Sequence, residues 1–279
     1  MTPRKKPSRQ YLATSFRNVD QSGDTTAHTK CLDMIADIPF YREVKEESFR
    51  IIAGTDPDLV LDAGCGAGCD LCTLASILPA KSLVVGLDAS ASLLATAAER
   101  TLPLQDRCSL VRGDLLHIPF GDGTFSACRI DRVLQHIHDP ERVIRELVRV
   151  LEPGGTLVAF DNDWDTLSVS LDDVTVSARL ARFWSDSFAS GRIGKDLAGI
   201  SKDAGLTDIY VEKKTLTLTD LPVAEKLFDI PAMLERMTHA GIFSENETTA
   251  IQKDLAERAG NGTFTSGYTA YIVRGKKPE

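Results

Sequence analysis

The sequence predicts an α/β protein built on a doubly wound, mostly parallel sheet with helices on both faces. Three observations predict it. Short apolar runs alternate with amphipathic helical stretches. Four of those runs end in an acid, at Asp62, Asp88, Asp114 and Asp161. The first run is followed by a glycine turn, LDAGCGAG (61–68). Connections between parallel strands are right-handed, and ligands in such sheets bind beyond the carboxyl ends of the strands. Four acids at successive strand ends therefore point to one shared cleft.

The elements follow in order. Within residues 11–53, the second half of IADIPFYREVKEESFRII suits an amphipathic helix, with Val44, Phe49, Ile51 and Ile52 among charges. Leu59, Val60 and Leu61 make a short buried strand, opened after Pro57 and stopped by Gly64. DLCTLASIL (70–78) reads as a helix ended by Pro79. SLVVGLDAS (82–90) is a second strand, and Ser90 can cap the helix whose face is Leu93, Leu94, Ala97 and Ala98. CSLVRGD (108–114) and FSACRI (125–130) are the third and fourth strands. DPERVIRELVRVLEPGG (139–155) is the clearest helix: Asp139 caps it, Pro140 takes the first position, and Val143, Ile144, Leu147, Val148 and Leu151 repeat at helical spacing. Pro153, Gly154 and Gly155 stop it, and GTLVAFD (155–161) is the fifth strand. GKDLAGISKDAGL (194–206) is a helix, and DIYVEKKTLTLT (208–219) and TSGYTAYIVRG (265–275) are strands. The helical stretch between those two strands is long for a plain connection and reads as a cap over the cleft. The organisation expected is an N-terminal tail and helical lid over 1–53, a core over 54–219 and 261–279, and a helical cap insertion over 220–260.

With 279 residues, 43% of them hydrophobic, the chain can bury one large core. A formal net charge of −8 speaks against a global role on nucleic acid or a membrane surface. No apolar run approaches the roughly 20 residues that span a bilayer. MTPRKKPSRQ is basic but lacks an apolar stretch after it, so a cytoplasmic protein is expected, with Arg4, Lys5, Lys6 and Arg9 on a disordered tail. Six cysteines in a chain of this length do not suggest a disulfide scaffold. No metal is expected, because His136 and His138 lack a third ligand in a clear pattern.

CGAGCDLC (65–72) admits two readings. Its C-x3-C-x2-C spacing could hold an iron–sulfur cluster, but Cys65 falls in the glycine turn while Cys69 and Cys72 fall on a helix, pointing different ways. The alternative is a cofactor turn. Gly64, Gly66 and Gly68 give G-x-G-x-G, and the third small residue of the dinucleotide fingerprint would fall on Cys69, which counts against NAD. Asp62, two residues before the first glycine, would repel a pyrophosphate and favour a cationic ligand. Asp88 suits ribose hydroxyls and Asp114 an exocyclic adenine amine. A sugar, an amine base and a cationic amino acid together describe S-adenosylmethionine.

VLDAGCGAG, GLDAS, RGDLLHIPFGDGTFSACRIDRVLQHIHDP and RVLEPGGTLVAFD resemble, in order and spacing, the motifs of class I S-adenosylmethionine-dependent methyltransferases. The resemblance is strongest over roughly 55–165 and nearest the ubiquinone and menaquinone C-methyltransferase branch. It implies a Rossmann-like seven-stranded sheet whose last strand is antiparallel. It also implies that Asp62, Gly64 and Gly66 line the methionine part, Asp88 holds the ribose, Ala89 flanks the adenine, and Asp114 and Leu115 bind its edge. Cys65, Gly113 and Arg129 complete that cofactor set.

The reaction implied is in-line transfer of a methyl group to a small-molecule acceptor: a secondary metabolite, quinone or lipid-like compound. Such transfer rests on proximity, orientation and water exclusion. A base is needed only for a protonated nucleophile, and His136 is the candidate. Tyr41, His138, Asp161 and Trp164 are the candidate substrate contacts. No Asn-Pro-Pro-Tyr or Asp-Pro-Pro-Tyr tetrapeptide occurs, which argues against methylation of planar amines. Phe40, Tyr41, Phe228, Met233, Leu234, Met237 and Phe243 serve either as an apolar lid or as the core of the cap. The chain is expected to act as a monomer or homodimer. An NAD-dependent oxidoreductase and a non-catalytic, methyltransferase-like scaffold are the competing readings.

Overall fold

The computed structural model describes residues 14–22 and 24–279; Arg4, Lys5, Lys6 and Arg9 lie outside them. A 3-10 segment, Ser15–Gln21, leads into α1 (Thr25–Asp37) and α2 (Pro39–Ala53). Then come β1 (Leu59–Ala63), α3 (Leu71–Ile77), β2 (Leu83–Asp88), α4 (Ala91–Thr101), β3 (Cys108–Arg112) and β4 (Phe125–Asp131). The chain continues through α5 (Pro140–Val150), β5 (Leu151–Val169), α6 (Val174–Ser185), α7 (Ile193–Asp203) and β6 (Thr207–Leu218). It ends with α8 (Leu221–Phe228), α9 (Ile230–His239), α10 (Glu245–Gly260) and β7 (Ser266–Lys276).

The seven strands form one sheet in the order β3-β2-β1-β4-β5-β7-β6. β1 to β5 pair in parallel, and β7, the last strand in the chain, runs antiparallel to both β5 and β6. The strand order reverses between β1 and β4, so the crevice opens at their carboxyl ends. Alternate residues feed two apolar layers. Val60, Val84, Ala127 and Val158 face one side. Leu61, Val85, Cys128 and Leu157 face the other, with the apolar face of α5.

Local chemistry sets the boundaries. Asp139 accepts from the Arg142 N–H at 3.0 Å and opens α5; Ser90 accepts from the Leu93 N–H and opens α4. α5 stops at Val150, short of the glycines, because Leu151 turns extended and pairs with Phe125. β5 outlasts the expected strand: beyond an irregularity after Asp163 it rejoins β7 at Ser168 and Val169. Asp161 to Trp164 therefore lie within a strand, not in a turn after it. Cys69 precedes α3 instead of lying on it.

Residues 220–260 contain α8, α9 and α10. Phe228, Met233, Leu234, Met237 and Phe243 are buried in the same apolar core as Trp184 and Tyr268, and none of the five lines the main cavity. The lid reading of these five is corrected: they fasten the insertion to the sheet. Among the described residues, no helix is long and apolar enough to cross a membrane.

Candidate functional site

A cavity of about 1120 Å³ opens at the carboxyl ends of β1 to β4 and beside Asn162 and Trp164 of β5. Its walls come from three parts of the chain: the core sheet, the N-terminal segment through Phe16, Leu32 and Met34, and the insertion through Leu227 and Ala232.

One end is the glycine turn. Gly64 and Gly66 line it in left-handed conformations, with φ of +76° and +52°. The Asp88 carboxylate pins the turn, accepting from the Gly66 N–H and the Ser90 N–H, both at 2.8 Å. Ala89, Asp114 and Leu115 line the same end. Asp114 accepts from the Leu116 N–H at 2.9 Å and keeps an exposed carboxylate. A third acid, absent from the sequence-based set, works beside them. Asp20 accepts from the hydroxyls of Ser90 and Ser92 and the N–H groups of Ala91 and Ser92. The Ser90 and Ser92 hydroxyls, above all, hold its carboxyl well below the usual range. It ties the N-terminal segment to the start of α4.

Four residues assigned to the cofactor stand behind this end. Asp62 is 3% exposed and faces Arg129 at 2.8 Å, not the cavity. Arg129 is equally buried and also meets Asp70 and Asp131, while Lys45 meets Asp70 and Arg132 meets Asp131. Three carboxylates thus face three cations. The charge of Asp62 is neutralised, so it does not set the site's preference for a cationic ligand. Burial works against the charge on Asp131, but Arg132 and Arg129 hold its carboxyl well below the usual range. Cys65 packs on Gly86, and Gly113 donates from its backbone to Asp88 O; neither lines the cavity. The three sulfurs of the cysteine cluster take separate surroundings: Cys65 on Gly86, Cys69 with Asp33 and Arg100, Cys72 with the Arg100 carbonyl.

The other end is aromatic. Trp164, Trp184, Phe188, Phe16, His136 and Tyr41 line it. Trp164 stacks on Phe188 with ring centroids 5.3 Å apart, and His136 lies between Phe16 and Phe188. Tyr41 shares a short hydroxyl contact with Tyr268 and lies under the Arg132 guanidinium. Arg132, which with Asp131 could be expected to orient substrate, Asn162 of the polar run 161–164, and Gln135, which was not expected, join this end. The only sequence signal for Gln135 is its place beside His136. Arg132 has a left-handed backbone, φ 55°, unusual for a non-glycine residue and invisible in the sequence.

Hydrogen-bond polarity fixes the state of His136. The Trp164 Nε1–H can only donate, so Gln135 must offer it Oε1, at 2.7 Å. Gln135 Nε2 then donates to the Arg132 carbonyl and to His136 Nε2, at 3.1 and 3.2 Å. The one lone pair of the neutral imidazole is therefore engaged. Burial, reinforced by Arg132 and Arg17, lowers its pKa to about 3. Both features weigh against proton abstraction by His136: its lone pair is engaged and burial weakens its basicity. Between about pH 3 and 6.5 the unfolded chain binds a proton here that the folded chain does not, so this group's contribution rises with pH and is lost as pH falls. His136→Gln should flatten the acid limb of the stability curve by about 3 kcal/mol relative to wild type, measured by urea unfolding from pH 3 to 7. Parallel curves would contradict the assignment.

His138 is exposed at the rim and accepts from Arg17 at 2.6 Å. Asp161 does not line the cavity. It accepts from the backbone N–H groups of Gln135 and Asn162 and props both, while burial pushes its pKa up to about 7.

Residues 61–159 match a family model described as a methyltransferase domain. The chain is 33% identical, over 243 residues, to an uncharacterized 37.1 kDa protein in transposon Tn4556 of Streptomyces fradiae, spanning 87% of this chain and 69% of that one. It is 39% identical to the demethylmenaquinone methyltransferase of Lactiplantibacillus plantarum over 104 residues, 37% of this chain and 44% of that enzyme. The chain thus spans less than half of that quinone enzyme. Haemonchus contortus phosphoethanolamine N-methyltransferase 2, solved in complex with S-adenosyl-L-methionine, superposes with a TM-score of 0.52 at 21% identity, over 84% of this chain and 53% of that one, and shares the fold. With the seven-stranded sheet and its antiparallel last strand, these likenesses identify a methyltransferase domain over residues 61–159, in a chain that resembles the class I S-adenosylmethionine-dependent methyltransferases and the quinone methyltransferases among them.

Proposed function

We propose that the chain methylates a small molecule with an aromatic or apolar body, held against Trp164 and Phe188. The observation that carries this reading is one continuous cavity with two chemically distinct ends. Small-molecule sites usually enclose about 300–1,000 Å³. At about 1120 Å³ this one has room for a cofactor and an acceptor together.

The residues present suit the cofactor. The left-handed Gly64–Gly66 turn exposes backbone where a side chain would intrude. Asp88 and Asp114 offer carboxylates to hydroxyl and amine donors. S-adenosylmethionine, when bound there, supplies a methyl group already activated on sulfur. The chain then has to orient the acceptor, exclude water and manage charge. Trp164, Phe188 and Phe16 supply the orienting surface, and the N-terminal segment and α8 close it over. Arg132, a cation fixed by Asp131 at 2.7 Å, stabilises the negative charge left on an acceptor oxygen whose proton passes to bulk water as the acceptor binds.

Calorimetric titration of S-adenosylhomocysteine tests the cofactor end. Micromolar binding is expected, weakened about 100-fold in Asp88→Ala through loss of charge-assisted hydrogen bonds. Methyl transfer to a panel of phenols and quinols tests the acceptor end. Absence of binding by folded wild type would sink the reading; binding without transfer to any acceptor would favour the scaffold.

A further inference from the structure

At the aromatic end of the cavity, Asn162 carries a polar atom that its described neighbours leave unmatched. Asn162 is 1% exposed, lines the cavity, and its Oδ1 has no hydrogen-bond donor among the described residues. The orientation of its amide is not arbitrary. Trp164 Nε1–H donates to Gln135 Oε1 at 2.7 Å, which makes that oxygen an acceptor. Asn162 Nδ2 donates to the same oxygen at 3.2 Å. Turning the amide over would set Oδ1 against Gln135 Oε1, two acceptors face to face. Trp164 therefore enforces, through Gln135, an Asn162 that presents Oδ1 away from them.

The backbone cannot drift to relieve this. A Cβ at Gly194 would lie 2.7 Å from the Asn162 carbonyl carbon, so the first turn of α7 presses directly on the strand. Asp161 accepts from the Asn162 N–H at 2.9 Å. Asn162 is a rigid acceptor that shares Gln135 with Trp164 and lines the same cavity as Trp164 and Phe188. A buried acceptor of this kind is stabilised by a ligand donor and penalises a ligand without one.

We infer that Asn162 Oδ1 is a specificity contact that accepts a hydrogen bond from a hydroxyl or N–H on the aromatic body of the methyl acceptor. The inference rests on the reading of this cavity as the acceptor site, and it selects hydroxylated or amino-substituted rings over their ethers and hydrocarbons. Asn162 orients a donor here; the atom that receives the methyl group is a separate matter.

Two probes of matched shape test it: 1-naphthol, which carries the donor, and 1-methoxynaphthalene, which does not. Calorimetry on wild type should show naphthol binding about 5- to 10-fold tighter, the worth of one neutral hydrogen bond. In Asn162→Leu the two should bind alike, a change that a purely structural role would not produce. Melting temperature and S-adenosylhomocysteine affinity, measured separately, report whether the variant folds and whether the cofactor end works. Equal affinities in wild type, binding of neither probe, or a preference that survives in a folded Asn162→Leu would overturn the inference. If the variant does not fold, the wild-type ratio decides. Loss of S-adenosylhomocysteine binding with the naphthol preference intact would fault the cofactor assignment and leave Asn162 standing.

Discussion

Arg129→Leu should lower the stability of the protein by about 3–5 kcal/mol at pH 7, because it strands buried carboxylates without their cation. Arg129 is 2% exposed and reaches Asp62, Asp70 and Asp131 within 3.0 Å. Leucine would replace the volume but not the five N–H donors. Asp62 would suffer most, since Arg129 is the one cation the network gives it. Asp131 keeps Arg132 and Asp70 keeps Lys45. The deficit should shrink as pH falls below about 6, since stranded carboxyls take up protons more readily than paired ones. Urea unfolding of the two proteins at pH 7 and pH 5 measures both effects. A loss below about 1 kcal/mol at pH 7 would show that the network is not a structural hub.

Gly64→Ala should damage both fold and cofactor binding. At φ +76° an alanine pays a left-handed penalty of about 1–2 kcal/mol. Its Cβ would also stand 2.4 Å from Val133 Cγ2, inside any tolerable contact, and valine is stiff about its first torsion. The turn must therefore shift, and with it the Gly66 N–H that Asp88 holds. Affinity for S-adenosylhomocysteine should fall about 100-fold or more, with a stability loss of about 2–4 kcal/mol. Adding Val133→Ala removes the overlapping methyl groups but not the backbone penalty, so it should restore part of both. No rescue at all would mean that the clash is not the cause.

The readability of this sequence divides along the cavity. Strands, helices and the glycine turn were legible because local rules write them: apolar runs, Asp139 and Ser90 as caps, glycines where φ is positive. The residues that line the cofactor end, Gly64, Gly66, Asp88, Ala89, Asp114 and Leu115, sit at strand ends, where the resemblance to methyltransferase motifs implied them. Asp62 looked like one of them. Its true partner, Arg129, lies 67 positions away on the neighbouring strand, and no local pattern announces that pairing. The acceptor end is written almost wholly in such distant meetings. Trp184 and Phe188 meet Trp164, and Phe16 meets His136, only after the N-terminal segment, α6 and β5 have packed. His136 drew notice for its residue type, whereas its state is fixed by Gln135 and Trp164. Asn162 stood in the polar run after Phe160 and nothing in the sequence set it apart.

The chain has two tryptophans, Trp164 and Trp184, and both line the aromatic end of the cavity. They are 4% and 0% exposed and meet edge to face at 5.9 Å. All of the protein's indole emission therefore arises at the place where the acceptor is proposed to sit. The molecule carries its own optical probe: a change in emission colour or intensity reports on that chamber without any label.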